Sequence, residues 1–226
     1  MMTTAERKLC LSMTREGCQQ DLNDPNFERI RNCQCAMQPL QLPEPWNGHL
    51  SSAKIMYIGS NPSYCCNERF PTQAWTDDAI CDFFDNRFLQ TDIRVSFWTR
   101  LVKMTRWILA EIDPGKVIPE YRSKGDFEDY RAINQYIVST EIVHWKSTHE
   151  QGVRECINPS LRWMEPILNL FTGKVVVLLG GVACEQRGLI DRLLQGRGIK
   201  VLKLPHPGRH GLTDAELHAE ILRKMK

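Results

Sequence analysis

The sequence predicts an α/β protein, a three-layer α/β/α sandwich with helices on both faces of a central four-stranded parallel sheet. Three observations carry this. Four short, mainly apolar runs, at 54–58, 136–143, 174–179 and 199–204, have the β-branched, near-continuous hydrophobicity of strands buried on both faces. Segments of helical periodicity separate them. Three of the runs also stop abruptly, at Gly59-Ser-Asn-Pro-Ser63, at Gly180-Gly181 and at Pro205-His-Pro-Gly208.

In chain order, residues 1–50 read as a polar helical start followed by an extended, turn-rich connector, QPLQLPEPWNG. The first strand follows at 54–58. Residues 64–134 form a long, mainly helical insertion before the second strand. Within it Leu101, Met104 and Ile108 recur at helical spacing, so a packed helix is expected over 95–111, stopped by Asp113-Pro114-Gly115. Phe97 and Trp98 at its start read as core. After the second strand comes a polar loop from His144 to Gly152, then a helix over 160–170 with Ser160 as its N-cap. The strands at 174–179 and 199–204 are joined by a helix. A terminal helix opens on a Thr213…Glu216 capping box. The whole chain, 1–226, is expected to be one domain.

Composition narrows the function classes. With 42% hydrophobic and 25% charged residues the chain is neither disordered nor fibrous. No apolar run approaches the ~20 residues of a membrane span, and the N-terminus carries charges where a signal peptide would be apolar. A cytoplasmic protein with no membrane partner is the expectation. Its net charge of +2 excludes a protein that coats phosphate backbones and leaves room for one modestly basic face. Nine cysteines, an odd number without a secretion signal, argue against a disulfide framework. Four of them lie in the first 35 residues, which raises the question of a metal site.

Ligands of a parallel sheet bind at the C-terminal ends of its strands. The polar residues expected there are Ser60 and Asn61 after the first strand, Glu141 on the second and His206 after the fourth. Proline stands beside Asn61 and on both sides of His206, which stiffens each loop. Singly, each of these is ordinary turn chemistry. Together, in order and at strand ends, they form a compact polar set.

The motifs IMYIGSNPS, EIVHWKSTHEQGVRECINPSLRWMEPIL, KVVVLLGGVAC and KLPHPGRH resemble the uracil-DNA glycosylase superfamily over residues 30–215. The Gly-x-Asn-Pro form resembles the branches in which Asn replaces Asp, and the middle block is similar to the iron–sulfur branch. The resemblance implies an enzyme that flips one nucleotide out of DNA and hydrolyses its N-glycosidic bond. Asn61 would then orient the attacking water and His206 would stabilise the departing base as an anion. Gly59, Ser60, Tyr64 and Phe70 would surround the flipped base, Phe70 by stacking and Tyr64 as a wall at C5. Ser63, Lys146, Ser147, Arg209 and His210 would contact phosphates; each could equally be a solvated loop residue. No lysine is placed for Schiff-base chemistry, so a monofunctional, monomeric enzyme is expected, with no cofactor required for catalysis. An iron–sulfur or zinc site is an open alternative, drawing on Cys156 with Cys18, Cys33 and Cys35, although Cys33-Gln-Cys35 has the wrong spacing.

The chain departs from the family at Glu141, where an Asn would read uracil. An ionised glutamate only accepts hydrogen bonds, so it would repel uracil O4 and suit an exocyclic amine. A modified cytosine, foreign to host DNA as in a phage, is the substrate this points to. The alternative is that Glu141 points away from the base and the register is off by one. Rival readings are a uracil or mismatch glycosylase, a non-catalytic DNA-binding member of the fold, and an enzyme of free nucleosides.

Overall fold

The computed structural model describes residues 1–34, 40–63, 69–87, 96–115, 133–208 and 211–226. Its sheet has the strand order β1-β3-β2-β4-β5, with β1 at Asn47–Gly48, β2 at Ile55–Gly59, β3 at Ile137–Glu141, β4 at Val175–Leu179 and β5 at Lys200–Leu204. The four strands expected from sequence, β2 to β5, pair in parallel. A fifth, two-residue strand, β1, adds an antiparallel edge on β3 to these four. Asn-Gly is turn chemistry by itself; pairing with Val138 and Ser139 makes it a strand.

Strand side chains alternate between the two faces, and each face has its own core. Met56, Ile58, Val138, Val176 and Leu178 join a core built with the N-terminal helix α1 (Thr4–Ser12) and helix α4 (Asp77–Asp85). Ile55, Tyr57, Ile137, Val175 and Val177 face α5 (Ser96–Ile112) and α10 (Asp214–Met225), which pack on each other. Between α1 and α4 in the chain lie α2 (Cys18–Asn23) and α3 (Glu28–Gln34). This is the three-layer arrangement read from the sequence. In α5, Leu101, Met104 and Ile108 are fully buried, as their spacing predicts. The capping box of α10 forms in both directions between Thr213 and Glu216.

The helix expected at 160–170 is two helices. The chain enters α6 (Val153–Ser160) through a left-handed Gly152 and passes a 3-10 turn, Leu161–Trp163, into α7 (Met164–Leu170). Ser160 ends α6 and makes no capping hydrogen bond, because its own backbone is helical (φ −73°, ψ −27°) rather than in the extended conformation of an N-cap. Helices α8 (Gly180–Glu185) and α9 (Arg187–Leu193) then lead to β5. No helix among the described residues is long and apolar enough to cross a membrane.

The connector before β1 is laced to the end of β3. The Glu44 N–H donates to the His144 carbonyl at 2.8 Å, and the Thr140 hydroxyl donates to the Pro45 carbonyl at 2.7 Å. Those bonds carry Glu44 to the end of the sheet where the site lies.

Candidate active site

The loops after β2 and β3 continue the strand ladder beyond the sheet. Ile142 N–H donates to Gly59 O at 3.0 Å, Val143 N–H to Ser60 O at 2.9 Å and Ser147 N–H to Pro62 O at 3.2 Å. Asn61 and Glu141 are thereby held on adjacent, mutually bonded segments. With His206 from the loop after β5, they line one cavity of about 370 Å³ on the α5 side of the sheet. The three strand-end residues singled out in the sequence converge.

Asn61 is oriented by its own amide. Its Nδ2 donates to Ser147 Oγ at 2.8 Å and to Pro62 O at 3.0 Å. Both donor protons are thus used, which leaves the amide oxygen as an acceptor for a water.

His206 is set as a donor by the backbone beside it. Gly208 N–H donates to His206 Nδ1 at 3.1 Å, so in the neutral ring the proton resides on Nε2. Desolvation lowers the imidazole pKa below its ordinary value, against a smaller upward pull from Glu150. Phe97 supports the ring at a centroid distance of 5.1 Å.

Glu141 lies against Gly59, its partner in register across the strands. Its carboxyl has no hydrogen-bond partner among the described residues. Burial pushes its pKa well above the ordinary carboxylate range, and the nearby Glu44 and Glu150 push it further. A neutral carboxyl is both donor and acceptor. The upward shift favours the neutral form over the ionised, acceptor-only Glu141 expected from the sequence. The neutral acid complements the N3/N4 edge of cytosine and equally the N3/O4 edge of uracil.

The sequence reading did not assign several other lining residues to the site, four of which bear on its chemistry. Glu44 and Asn47 enter from the connector and β1, and Phe97 and Trp98 enter from the first turn of α5. Phe97 and Trp98 pack against the core, as expected, and also form part of the cavity wall. A signal for Glu44 existed, since Pro43 and Pro45 flank it as Pro205 and Pro207 flank His206.

The remaining expected site residues fall in different places. Gly59, Ser60 and Ser63 line the cavity, and Ser60 Oγ donates to Glu150 at 2.7 Å. Phe70 does not line it; the ring is buried against Phe83 and Phe84, and so is not placed to stack on a base. Lys146 is buried rather than facing phosphate, with its ammonium 3.5 Å from Glu44 and 3.8 Å from the centre of the Phe70 ring. Ser147 is buried too and serves Asn61 instead of DNA. Tyr64, Arg209 and His210 lie outside the described residues, as does Cys35.

The other suggested metal ligands are dispersed. Cys18 Sγ accepts from Gln73 at 3.2 Å, Cys33 Sγ donates to Gln151 at 3.0 Å, and Cys156 Sγ donates to Asn26 O at 3.1 Å. Burial pushes the Cys18 thiol up to about 11 and the Cys156 thiol up to about 12, which opposes the thiolate a metal requires. Among the described residues no group of three His, Cys, Asp or Glu side chains is arranged to hold a metal ion.

No protein-family profile matches the chain, and no curated protein matches it. Among solved structures, the chain is similar to the wild-type UNG crystal structure from Nitratifractor salsuginis. The two share 14% identity and a TM-score of 0.43, over 99% of this chain and 88% of that one.

Proposed function

We propose that the protein is a monofunctional DNA glycosylase that hydrolyses the N-glycosidic bond of a flipped-out pyrimidine nucleotide, with a modified cytosine as its base. The observation that carries this reading is the convergence of Asn61, Glu141 and His206 on one cavity at the strand ends. Each is preset for a distinct task. The Asn61 amide oxygen accepts from a water and aims it at C1′. As the C1′–N1 bond breaks, its electron pair passes to the base, and His206 Nε2–H donates to the pyrimidine O2, where negative charge develops. Water oxygen bonds to C1′, and the water proton is released to solvent. The Asn61 amide is no base, so the role given to it is orientation of the water. Glu141 holds the Watson–Crick edge.

The neutral Glu141 supports a second reading, a uracil or mismatch glycosylase, because its hydroxyl can also donate to O4. A panel of duplex and single-stranded oligonucleotides, each with one uracil, thymine, cytosine, 5-methylcytosine or 5-hydroxymethylcytosine, tests both. Abasic sites are scored by alkaline strand scission. Cleavage at substituted cytosine supports the first reading and cleavage at uracil the second. DNA binding with no abasic site at any base refutes both.

A further inference from the structure

Glu44 and Asn47 stand at one end of the cavity and His206 at the other. The strand order places β1 and β5 at opposite edges of the sheet. Glu44 is also bonded to the chain just after β3, beside Glu141. On the reading above, His206 meets O2, and the C4–C5 edge across the ring therefore points past Glu141 on β3 toward β1. A group attached at that edge would extend toward Glu44 and Asn47, which line the same cavity.

These two residues offer acceptors. Glu44 is 6% exposed. Asn47 Nδ2 donates to its Oε1 at 2.5 Å, and Lys146 Nζ stands 3.5 Å from its Oε2. Burial alone would push the Glu44 carboxyl up, but Lys146, Arg87 and Asn47 together hold it below its ordinary value, as an anion. A carboxylate has about four lone-pair sites, so each oxygen keeps one free. The Asn47 donors face Glu44 and Ser139 Oγ, the latter at 3.4 Å, while its buried Oδ1 has no partner among the described residues. A buried ion pair gives folding little that apolar residues of similar volume would not.

We propose that Glu44 and Asn47 form a second recognition subsite of this cavity, which accepts hydrogen bonds from an amine or hydroxyl at the C4–C5 edge of the flipped base. The subsite rests on the glycosylase reading for the orientation of the base. It supplies the discrimination that Glu141 lacks: the Glu44 anion repels uracil O4 and attracts an N4 amine or a C5-borne hydroxyl.

The test is binding of oligonucleotides whose target nucleotide carries a 2′-fluoro group to slow hydrolysis, measured by fluorescence anisotropy at one fixed salt concentration. Cytosine against uracil isolates the amine; 5-hydroxymethylcytosine against 5-methylcytosine isolates the hydroxyl. The wild-type protein is expected to prefer the donor-bearing base in at least one pair by about tenfold, the size of one hydrogen bond to a charged group. Glu44→Gln is expected to shrink that preference to about twofold or less, because its amide welcomes O4. Asn47→Ala is the second variant, read against the same pairs if Glu44→Gln fails to fold by circular dichroism. Equal binding within both pairs by wild-type protein overturns the subsite, and so does a preference that survives substitution. The two readings fail separately. Base excision without donor preference removes the subsite and leaves the glycosylase; donor preference lost on substitution, with no excision from ordinary deoxynucleotides, does the reverse.

Discussion

The Glu141 carboxyl lies so close to Gly59 that a β-carbon on the glycine would sit 2.1 Å from Glu141 Oε2. The two residues are paired in register at the ends of β2 and β3, so the absence of a side chain on one strand makes room for the acid on the next. The first glycine of Gly-Ser-Asn-Pro is thus a spacing requirement as well as a turn residue. Gly59→Ala should displace the acid and lower kcat/KM about 10²-fold, the cost of a displacement near 1 Å at a reacting site. Circular dichroism should show the fold retained, and steady-state kinetics on the best oligonucleotide of the panel reads the loss.

Asn61 depends on Ser147 for its orientation, at 2.8 Å. Removing the amide by Asn61→Ala should lower kcat by about 10² to 10³, in the range of losing one positioned group in a water-excluded site. Ser147→Ala should cost less, about tenfold, because Pro62 O still holds one amide proton. Single-turnover base release separates the two, with KM nearly unchanged in both. A Ser147→Ala loss confined to KM would contradict the orienting role.

The raised pKa of Glu141 gives a pH signature. On the proposed reading the neutral acid, predominant below that pKa, would donate a hydrogen bond to the base edge, whereas the carboxylate above it would only accept. Activity should therefore fall on an alkaline limb at a pH far above the ordinary carboxylate range. Glu141→Gln cannot lose a proton, so the limb should vanish from its kcat/KM profile. A limb that persists in Glu141→Gln belongs to another group.

Much of this was legible in the sequence, and what was not has physical causes. Four parallel strands could be read because burial on both faces demands near-continuous apolar runs. The convergence of Asn61, Glu141 and His206 then followed from where a parallel sheet presents its loops. The two-residue β1 could not be read, since its partner on β3 creates it. From the sequence Phe70 is expected to stack on the base and Lys146 to meet a phosphate. A tertiary contact buries both, with the lysine ammonium over the ring and opposite Glu44. Phe97 and Trp98 share the periodicity of a buried helix, and only the position of α5 against the strand ends makes them a wall. The upward shift of the Glu141 pKa was hidden too, because burial and neighbouring acids cause it.

His144 supplies a prediction for stability. It is 2% exposed, with Nε2 3.3 Å from the Thr140 hydroxyl and Nδ1 unpartnered among the described residues. Desolvation, aided by Arg162, lowers its pKa to about 3 from an ordinary 6.5. The folded protein therefore keeps it neutral while the unfolded chain protonates below about pH 6.5. Its contribution is fully present above that pH and is lost as pH falls toward 3, at about 1.4 kcal/mol per pH unit. Urea unfolding between pH 7 and pH 5 should show wild-type protein losing stability relative to His144→Gln as the pH falls. Parallel curves would mean that His144 protonates in the folded state.

Release of the base itself is the most direct sign of glycosylase action. Wild-type protein incubated with an oligonucleotide carrying a single 5-substituted cytosine should liberate that base intact, identified by mass spectrometry, and leave one abasic site per base released. His206→Ala should slow that release by about 10² or more while binding the same DNA, since it removes the donor to the departing base. Release of no base from any pyrimidine in the panel, or release at an unchanged rate by His206→Ala, would contradict the glycosylase reading.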